Sequence, residues 1–73
     1  MKPVENTKVF DEITIRSRWH PLGGSGLSVL MGDIIVVRID SQRIYYEYEY
    51  GTPRGARYFK DKFTFLESTR RIV

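Results

Sequence analysis

The side chains with catalytic potential in this 73-residue chain are few and scattered. His20 is the only histidine, it stands directly before Pro21, and the chain has no cysteine. A serine nucleophile needs a neighbouring base, and the five serines stand in no nucleophile elbow or recognisable dyad. The sequence therefore predicts no nucleophilic catalysis and gives His20 a structural or surface role.

Two acidic residues, Glu47 and Glu49, are spaced so that on a strand their carboxylates would share one face, as in paired-acid hydrolases. The residues expected opposite them, Val36 and Ile34, offer no acid–base partner. A metal site needs three or four ligands, and one histidine with scattered carboxylates does not supply them. We therefore expect a protein that is not an enzyme, with no metal and no cofactor.

The element that would position most of these residues is a β-hairpin from Ile34 to Tyr50, in which apolar residues alternate on both sides of the polar residues 40–43. Asp40 suits the first position of a type I turn, which favours a four-residue loop. This loop sets Ile39 opposite Ile44, Val37 opposite Tyr46, Ile35 opposite Tyr48 and Arg38 opposite Tyr45. It gathers one inward layer: Ile35, Val37, Ile39, Ile44, Tyr46 and Tyr48.

The rest of the chain reads as short strands and turns. Strands are expected on both sides of the glycine-rich loop 21–26, and another over residues 56–60 after the turn 51–55. The length of that turn decides whether Tyr58 or Phe59 faces inward, and both are plausible core residues. Asp61 could cap a short helical turn over residues 61–67, although Phe63 and Phe65 also suit a strand. Residues 72–73 could pair as a closing strand.

These elements predict a mainly β fold, a small antiparallel five-stranded barrel or curled sheet with a short helical turn near the C-terminus. Residues 1–8 are expected to be a flexible lead-in and residues 9–73 a single domain. The chain has no apolar run as long as a signal peptide core or a membrane span, and no cysteine for disulfides. A cytoplasmic protein without membrane contact is the expectation.

Charge and aromatic residues together point to an anionic partner. The net charge is +3, and residues 54–73 carry six basic and two acidic side chains, so the rest of the chain sums to −1. Barrels offer faces on which bases stack while arginine and lysine meet phosphates. Trp19 could be a core residue or a stacking platform. The candidate nucleic-acid-binding residues are Arg18, Trp19, Arg38, Arg43, Tyr45, Arg54, Arg57, Lys60 and Lys62.

Protein binding is the competing prediction. The outward face of the hairpin would carry Ile34, Val36 and Tyr45 beside acidic residues, and an apolar patch with a polar rim is typical of an interface. The patch could bind a host or phage protein, form the seam of a homodimer, or be covered by the N-terminal segment. No small-molecule substrate is evident.

The order of these segments resembles the small Src-homology-3-like barrels. It comprises a strand led by Trp19, a glycine-rich hairpin, two long strands over residues 33–39 and 44–50, a glycine turn, and an aromatic close over residues 59–63. Within that group the chain is similar to short uncharacterised proteins of phages and prophages, over about residues 16–66. The resemblance implies a non-enzymatic binding module, accessory to phage or prophage biology, with no catalytic residues to carry over.

Overall fold

The computed structural model describes residues 10–24 and 26–73; the expected lead-in over residues 1–8 lies outside them. The elements, in chain order, are a 3₁₀ turn Phe10–Glu12, β1 Arg18–Pro21, a 3₁₀ turn Val29–Met31, β2 Ile34–Ile39, β3 Arg43–Tyr48, β4 Tyr58–Asp61, α1 Lys62–Ser68 and β5 Thr69–Arg71.

The five strands form one antiparallel sheet in the order β4-β3-β2-β1-β5. The sheet curls into a half-barrel, and the expected mainly β fold with a short C-terminal helix is confirmed. β2, β3 and β4 form a meander of neighbours in sequence, whereas β1 lies between β2 and β5. In the described part of the chain, β4 and β5 are therefore the edges of the sheet.

The core fills the concave side of this sheet. Trp19, Ile34, Val36, Ile44 and Tyr46 point inward from the strands, and α1 contributes Phe65, which is fully buried. The Phe65 ring meets Trp19 edge to face, with centroids 5.2 Å apart, and lies 5.9 Å from the ring of Tyr46. Burying such a ring contributes about 1.5 to 3 kcal/mol, so Phe65 is the residue that fastens the helix to the sheet.

The central hairpin has the expected loop but a different register beyond it. Ile39 pairs with Ile44 and Arg38 with Tyr45, as predicted, and then a β-bulge shifts the pairing between Val36 and Arg38. Val36 lies opposite Tyr46 and Ile34 opposite Tyr48, so the predicted inward places of Val37 and Ile35 are wrong. Ile34 and Val36 are fully buried instead.

The bulge follows from hydrogen bonds between β2 and the turn before β1. The apolar run 34–37 has no alternation, so hydrophobic pattern alone does not choose its register. The turn before β1 makes the choice: the Arg16 N–H donates to the Val36 carbonyl at 2.8 Å, and the Val36 N–H donates to the Ser17 carbonyl at 3.0 Å. Val37 is the extra residue of the bulge. It lies between the pair Val36–Tyr46 and the pair Arg38–Tyr45, which belong to different registers.

The C-terminal elements follow the sequence signals. The Asp61 side chain accepts a hydrogen bond from the Thr64 N–H at 3.0 Å, so it caps α1 as expected. The closing strand is present but comprises Thr69–Arg71, and only the Ile72 N–H extends it by donating to the Arg18 carbonyl. The prediction of a strand after the glycine-rich loop is wrong, because residues 29–31 form a 3₁₀ turn.

Candidate functional site

The convex face of the sheet carries a row of cations and aromatic rings across three adjacent strands. Arg38, Tyr45 and Phe59 lie directly opposite one another on β2, β3 and β4. The Arg38 guanidinium is 5.6 Å from the Tyr45 ring centroid, and the Tyr45 and Phe59 centroids are 5.8 Å apart. Arg43 places its guanidinium 4.9 Å from the Phe59 centroid. We call these four residues the outer row.

The hairpin loop fixes the orientation of the outer row. Asp40 accepts hydrogen bonds from the N–H groups of Gln42 at 2.8 Å and Arg43 at 2.6 Å, and from the Tyr45 hydroxyl at 3.2 Å. These bonds hold the pKa of the Asp40 carboxyl below its usual range, and the two from the backbone N–H groups have the largest effect. The ionised carboxylate thus ties the tip of the Tyr45 ring to the loop.

Phe59 is the most accessible ring of the outer row, with 56% of its surface exposed. Nucleic-acid bases stack on exposed aromatic side chains of this kind, and neighbouring arginines add cation–π contacts. The sequence alone does not determine which side of the sheet Phe59 faces, because this depends on the length of the turn 51–55. The pairing of Tyr46 with Tyr58 and of Tyr45 with Phe59 decides it: Phe59 points outward.

The charges around the outer row nearly balance. Arg57, next to β4, lies on the same face and forms an ion pair with Glu47, with 3.5 Å between Nε and Oε2. Asp61 lies opposite Arg43 and is committed to the cap of α1. Hydrogen bonds from Thr64 hold the pKa of Asp61 below its usual value, so it stays ionised. The face therefore combines exposed rings with cations whose charge is partly compensated.

Two predicted binding residues are placed elsewhere. Trp19 is only 2% exposed, and its Nε1–H donates to Ser17 Oγ at 2.8 Å, so the ring belongs to the core and is not a stacking platform. Arg18 is exposed, but its Nη1 contacts Glu49 at 3.0 Å and Asp33 at 3.2 Å. Hydrogen bonds to these two carboxylates raise the pKa of Arg18 and engage its charge within the chain.

The remaining predicted cations do not join the outer row. Arg54 lies in the turn before β4, Lys60 on the inward side of β4, and Lys62 in the first turn of α1. Arg38, Arg43 and Tyr45 are therefore the predicted residues that the structure brings into direct contact with one another or with Phe59.

The predicted protein interface is corrected in two of its three residues. Tyr45 points outward as expected, but Ile34 and Val36 are fully buried because of the bulge, so they offer no surface. The outward places belong to half-buried Ile35 and Val37. Val37 lines a shallow groove of about 290 Å³, whose other lining residues are Ile15, Arg16, Val36, Glu47 and Arg57.

A second polar cluster lies at the far end of β2 and β3. His20 Nδ1 is 3.1 Å from Asp33 Oδ1, and Glu49 accepts from the Asp33 N–H at 3.2 Å. His20 first, and then Arg18, lower the pKa of the Asp33 carboxyl. Within residues 10–24 and 26–73, no three histidine, aspartate or glutamate side chains come together as a metal site.

The chain was compared with protein families, curated proteins and solved structures, and none of them matches it. No helix in the described part of the chain is long and apolar enough to cross a membrane. The geometry of the convex face is therefore the basis for assigning a function.

Proposed function

We propose that this protein is a binding module for single-stranded nucleic acid and that the outer row is its stacking surface. One observation carries the proposal: the ring of Phe59 is exposed and contacts both the Tyr45 ring and the Arg43 guanidinium. A base stacked on Phe59 would share the ring with Arg43, and the phosphates on either side would lie within reach of Arg38 and Arg43.

The charge balance of the face determines the kind of binding. Asp40, Glu47 and Asp61 offset much of the positive charge of the arginines, so phosphate attraction is limited. Base stacking on an aromatic side chain contributes about 1 to 3 kcal/mol per base and tolerates any sequence. We therefore expect affinity that depends chiefly on the rings, with a preference for single strands whose bases are free to stack.

The first test is Phe59→Leu, which keeps an apolar side chain on β4 but removes the aromatic face. We expect the affinity for a fluorescent oligothymidylate to fall roughly 5- to 100-fold, the range that corresponds to loss of one stacked base. Tyr50→Leu is the matched control, because Tyr50 is 60% exposed but lies beyond β3 and outside the outer row. Equal affinity of the Phe59→Leu variant and the wild type would refute the proposal.

The second test separates stacking from general charge. Arg43→Ala should weaken binding and reduce the slope of log affinity against log salt by about 0.7, the value for one single-strand phosphate contact. Arg70→Ala removes the same charge from an exposed residue of β5, at the opposite edge of the sheet. If both variants bind alike, the attraction is unspecific and the outer row is not the site.

The groove beside Val37 supports an alternative, a module that binds a protein and not nucleic acid. Ile15, 52% exposed, borders this groove together with Val37, and the ion pair of Arg57 with Glu47 forms a polar rim. Such a combination of apolar floor and charged rim suits a peptide side chain. Capture of a host protein that survives nuclease treatment and is lost in Val37→Glu, with no oligonucleotide binding, would favour this alternative.

The expected place of the module in phage or prophage biology rests on the resemblance of its segment order and stays a prediction. So does the absence of enzymatic activity. Both candidate functions use the convex face, and the nuclease-treated pull-down distinguishes them in one experiment.

A further inference from the structure

The free edge of β4 has a pattern that fits a second copy of the same chain. Among residues 10–24 and 26–73, β4 pairs with β3 alone. The Lys62 N–H donates to the Gln42 carbonyl at 3.0 Å, which makes residues 42 and 62 a hydrogen-bonded pair. Such pairs alternate along an antiparallel ladder, so Lys60 and Tyr58 also bond to β3.

The residues between them point their backbone groups the other way. Arg57 and Phe59 therefore direct their N–H and C=O groups toward the open edge, and Asp61 directs its N–H there, because its carbonyl accepts the first hydrogen bond of α1. All three are exposed. Their side chains share the convex face, since Phe59 and Asp61 lie opposite Tyr45 and Arg43, and Arg57 contacts Glu47. An edge of this kind is a template for another strand.

We propose that two copies of the chain pair through β4, antiparallel, about a two-fold axis that passes beside Phe59. In this register Phe59 lies opposite Phe59 of the second copy, and Arg57 lies opposite Asp61 of the second copy on both sides of the axis. The central Phe59 pair exchanges two backbone hydrogen bonds, and each outer pair forms one, from the Asp61 N–H to the Arg57 carbonyl. On the concave side, Tyr58 lies opposite Lys60 of the second copy, where an ammonium group can contact the ring.

Charge selects this register over its neighbours. Shifting one strand by two residues in either direction sets Phe59 opposite Arg57 or Asp61 of the other copy and leaves the charges without opposite partners. Only the register centred on Phe59 places a cation against an anion at both ends, and directly opposed unlike charges stabilise a strand pair. The sequence of β4 is thus complementary to β4 of a second copy.

The pairing is independent of nucleic-acid binding but would extend the proposed site. The rings of Tyr45 and Phe59 would continue into those of the second copy, giving one strip of four rings with Arg38 at each end. Two outer rows would then bind one strand side by side.

Sedimentation velocity on the full chain, without nucleic acid, tests the pairing. A four-residue strand forms a small interface of the weak, transient class, so the protein is studied from micromolar to millimolar concentration. We expect the sedimentation coefficient to rise toward that of a dimer. A monomer across the whole range would overturn the proposal.

Charge variants locate the contact. Arg57→Glu sets like charges opposite each other twice and should keep the protein monomeric, whereas Arg54→Glu, the same change in the preceding turn, should leave the dimer intact. Asp61→Asn keeps a capping side chain on α1 while removing the charge, and should shift the dimerisation midpoint to higher concentration. If Arg57→Glu and Asp61→Asn both dimerise like the wild type, β4 is not the contact.

Hydrogen exchange then identifies the edge residue by residue. The amides of Tyr58 and Lys60 bond to β3 and should be protected at every concentration. The amides of Phe59 and Asp61 should become protected only where the dimer forms. Because these measurements use no oligonucleotide, a failure here leaves the stacking proposal untouched, and loss of oligonucleotide binding leaves the dimer untouched.

Discussion

At the scale of single residues, Phe59 illustrates how an exposed ring is held in place. It contacts a ring and a guanidinium of the neighbouring strand, and the hydroxyl of Tyr45 is bonded to Asp40. A ring whose neighbours are fixed loses little freedom when a ligand stacks on it, so the cost of ordering is met during folding and not during binding.

At position 32 the backbone conformation strongly favours glycine over other residues. Its φ is +77°, and a Cβ atom there would lie 2.6 Å from Glu49 Oε1 and 2.8 Å from Cε2 of Tyr50. We expect Gly32→Ala to lower the free energy of unfolding by more than 1 kcal/mol, chiefly because alanine is strained at this φ; the ends of the Glu49 and Tyr50 side chains can shift. Urea unfolding followed by the fluorescence of Trp19 would measure this.

Gly23 provides the control for that prediction, since no atom lies within 4 Å of its virtual Cβ. Gly23→Ala should be neutral or stabilising by up to about 1 kcal/mol through the unfolded chain. Equal unfolding midpoints for the two variants would show that Gly32 is under no strain.

At the scale of elements, the register of β2 is the feature with the sharpest consequence. In the structure Ile34 is fully buried and its neighbour Ile35 is half-buried on the convex face. Ile34→Ala should therefore cost about 2 to 5 kcal/mol and Ile35→Ala markedly less. Chemical unfolding of the two variants measures both values, and the opposite order would mean that the hairpin has no bulge at Val37.

The same strand shows what the sequence could and could not predict. The loop at Asp40, the pair Arg38 and Tyr45, and the cap at Asp61 follow from local chemistry, and the structure has all three. The facing of Ile34 and Ile35 depends on hydrogen bonds from the turn at Arg16 and Ser17, far away in sequence. A run of four apolar residues carries no information about such a distant partner.

The candidate site was partly predictable for the same reason. Arg38 and Tyr45 belong to one hairpin, so a loop length sufficed to bring them together. Phe59 and Arg43 come together only through the pairing of β3 with β4, and the turn between these strands has no sequence signal that fixes its length. The sequence slightly favours a core position for Trp19 but leaves a surface role open, and the contact with Phe65 decides for the core.

At the scale of the whole molecule, buried Tyr46 limits stability at high pH. Burial first, and then the nearby Tyr48, raise the pKa of its phenol in the folded state. The folded protein thus keeps a proton that the unfolded chain releases near pH 10, so stability falls as pH rises above about 10. The expected slope for this group is about 1.4 kcal/mol per pH unit.

Tyr46→Phe should remove most of this alkaline loss, measured as the unfolding free energy between neutral pH and pH 11. Tyr50→Phe is the control, because Tyr50 is exposed. At the acid end, Asp33, Asp40 and Asp61 have lowered pKa values, so both variants should lose stability alike as pH falls below about 4. Identical alkaline curves for both variants would contradict the role given to Tyr46.

The position of β1 between β2 and β5 has a consequence for synthesis on the ribosome. β2, β3 and β4 are neighbours in sequence as well as in the sheet, so they can assemble as soon as they leave the exit tunnel. Trp19 pairs with Arg71, and the rings of Phe65 and Trp19 meet across the core. β1 can pair with β2 early, but its other edge stays unpaired, and the Trp19 ring lacks its contact with Phe65, until the segment from α1 to β5 has emerged.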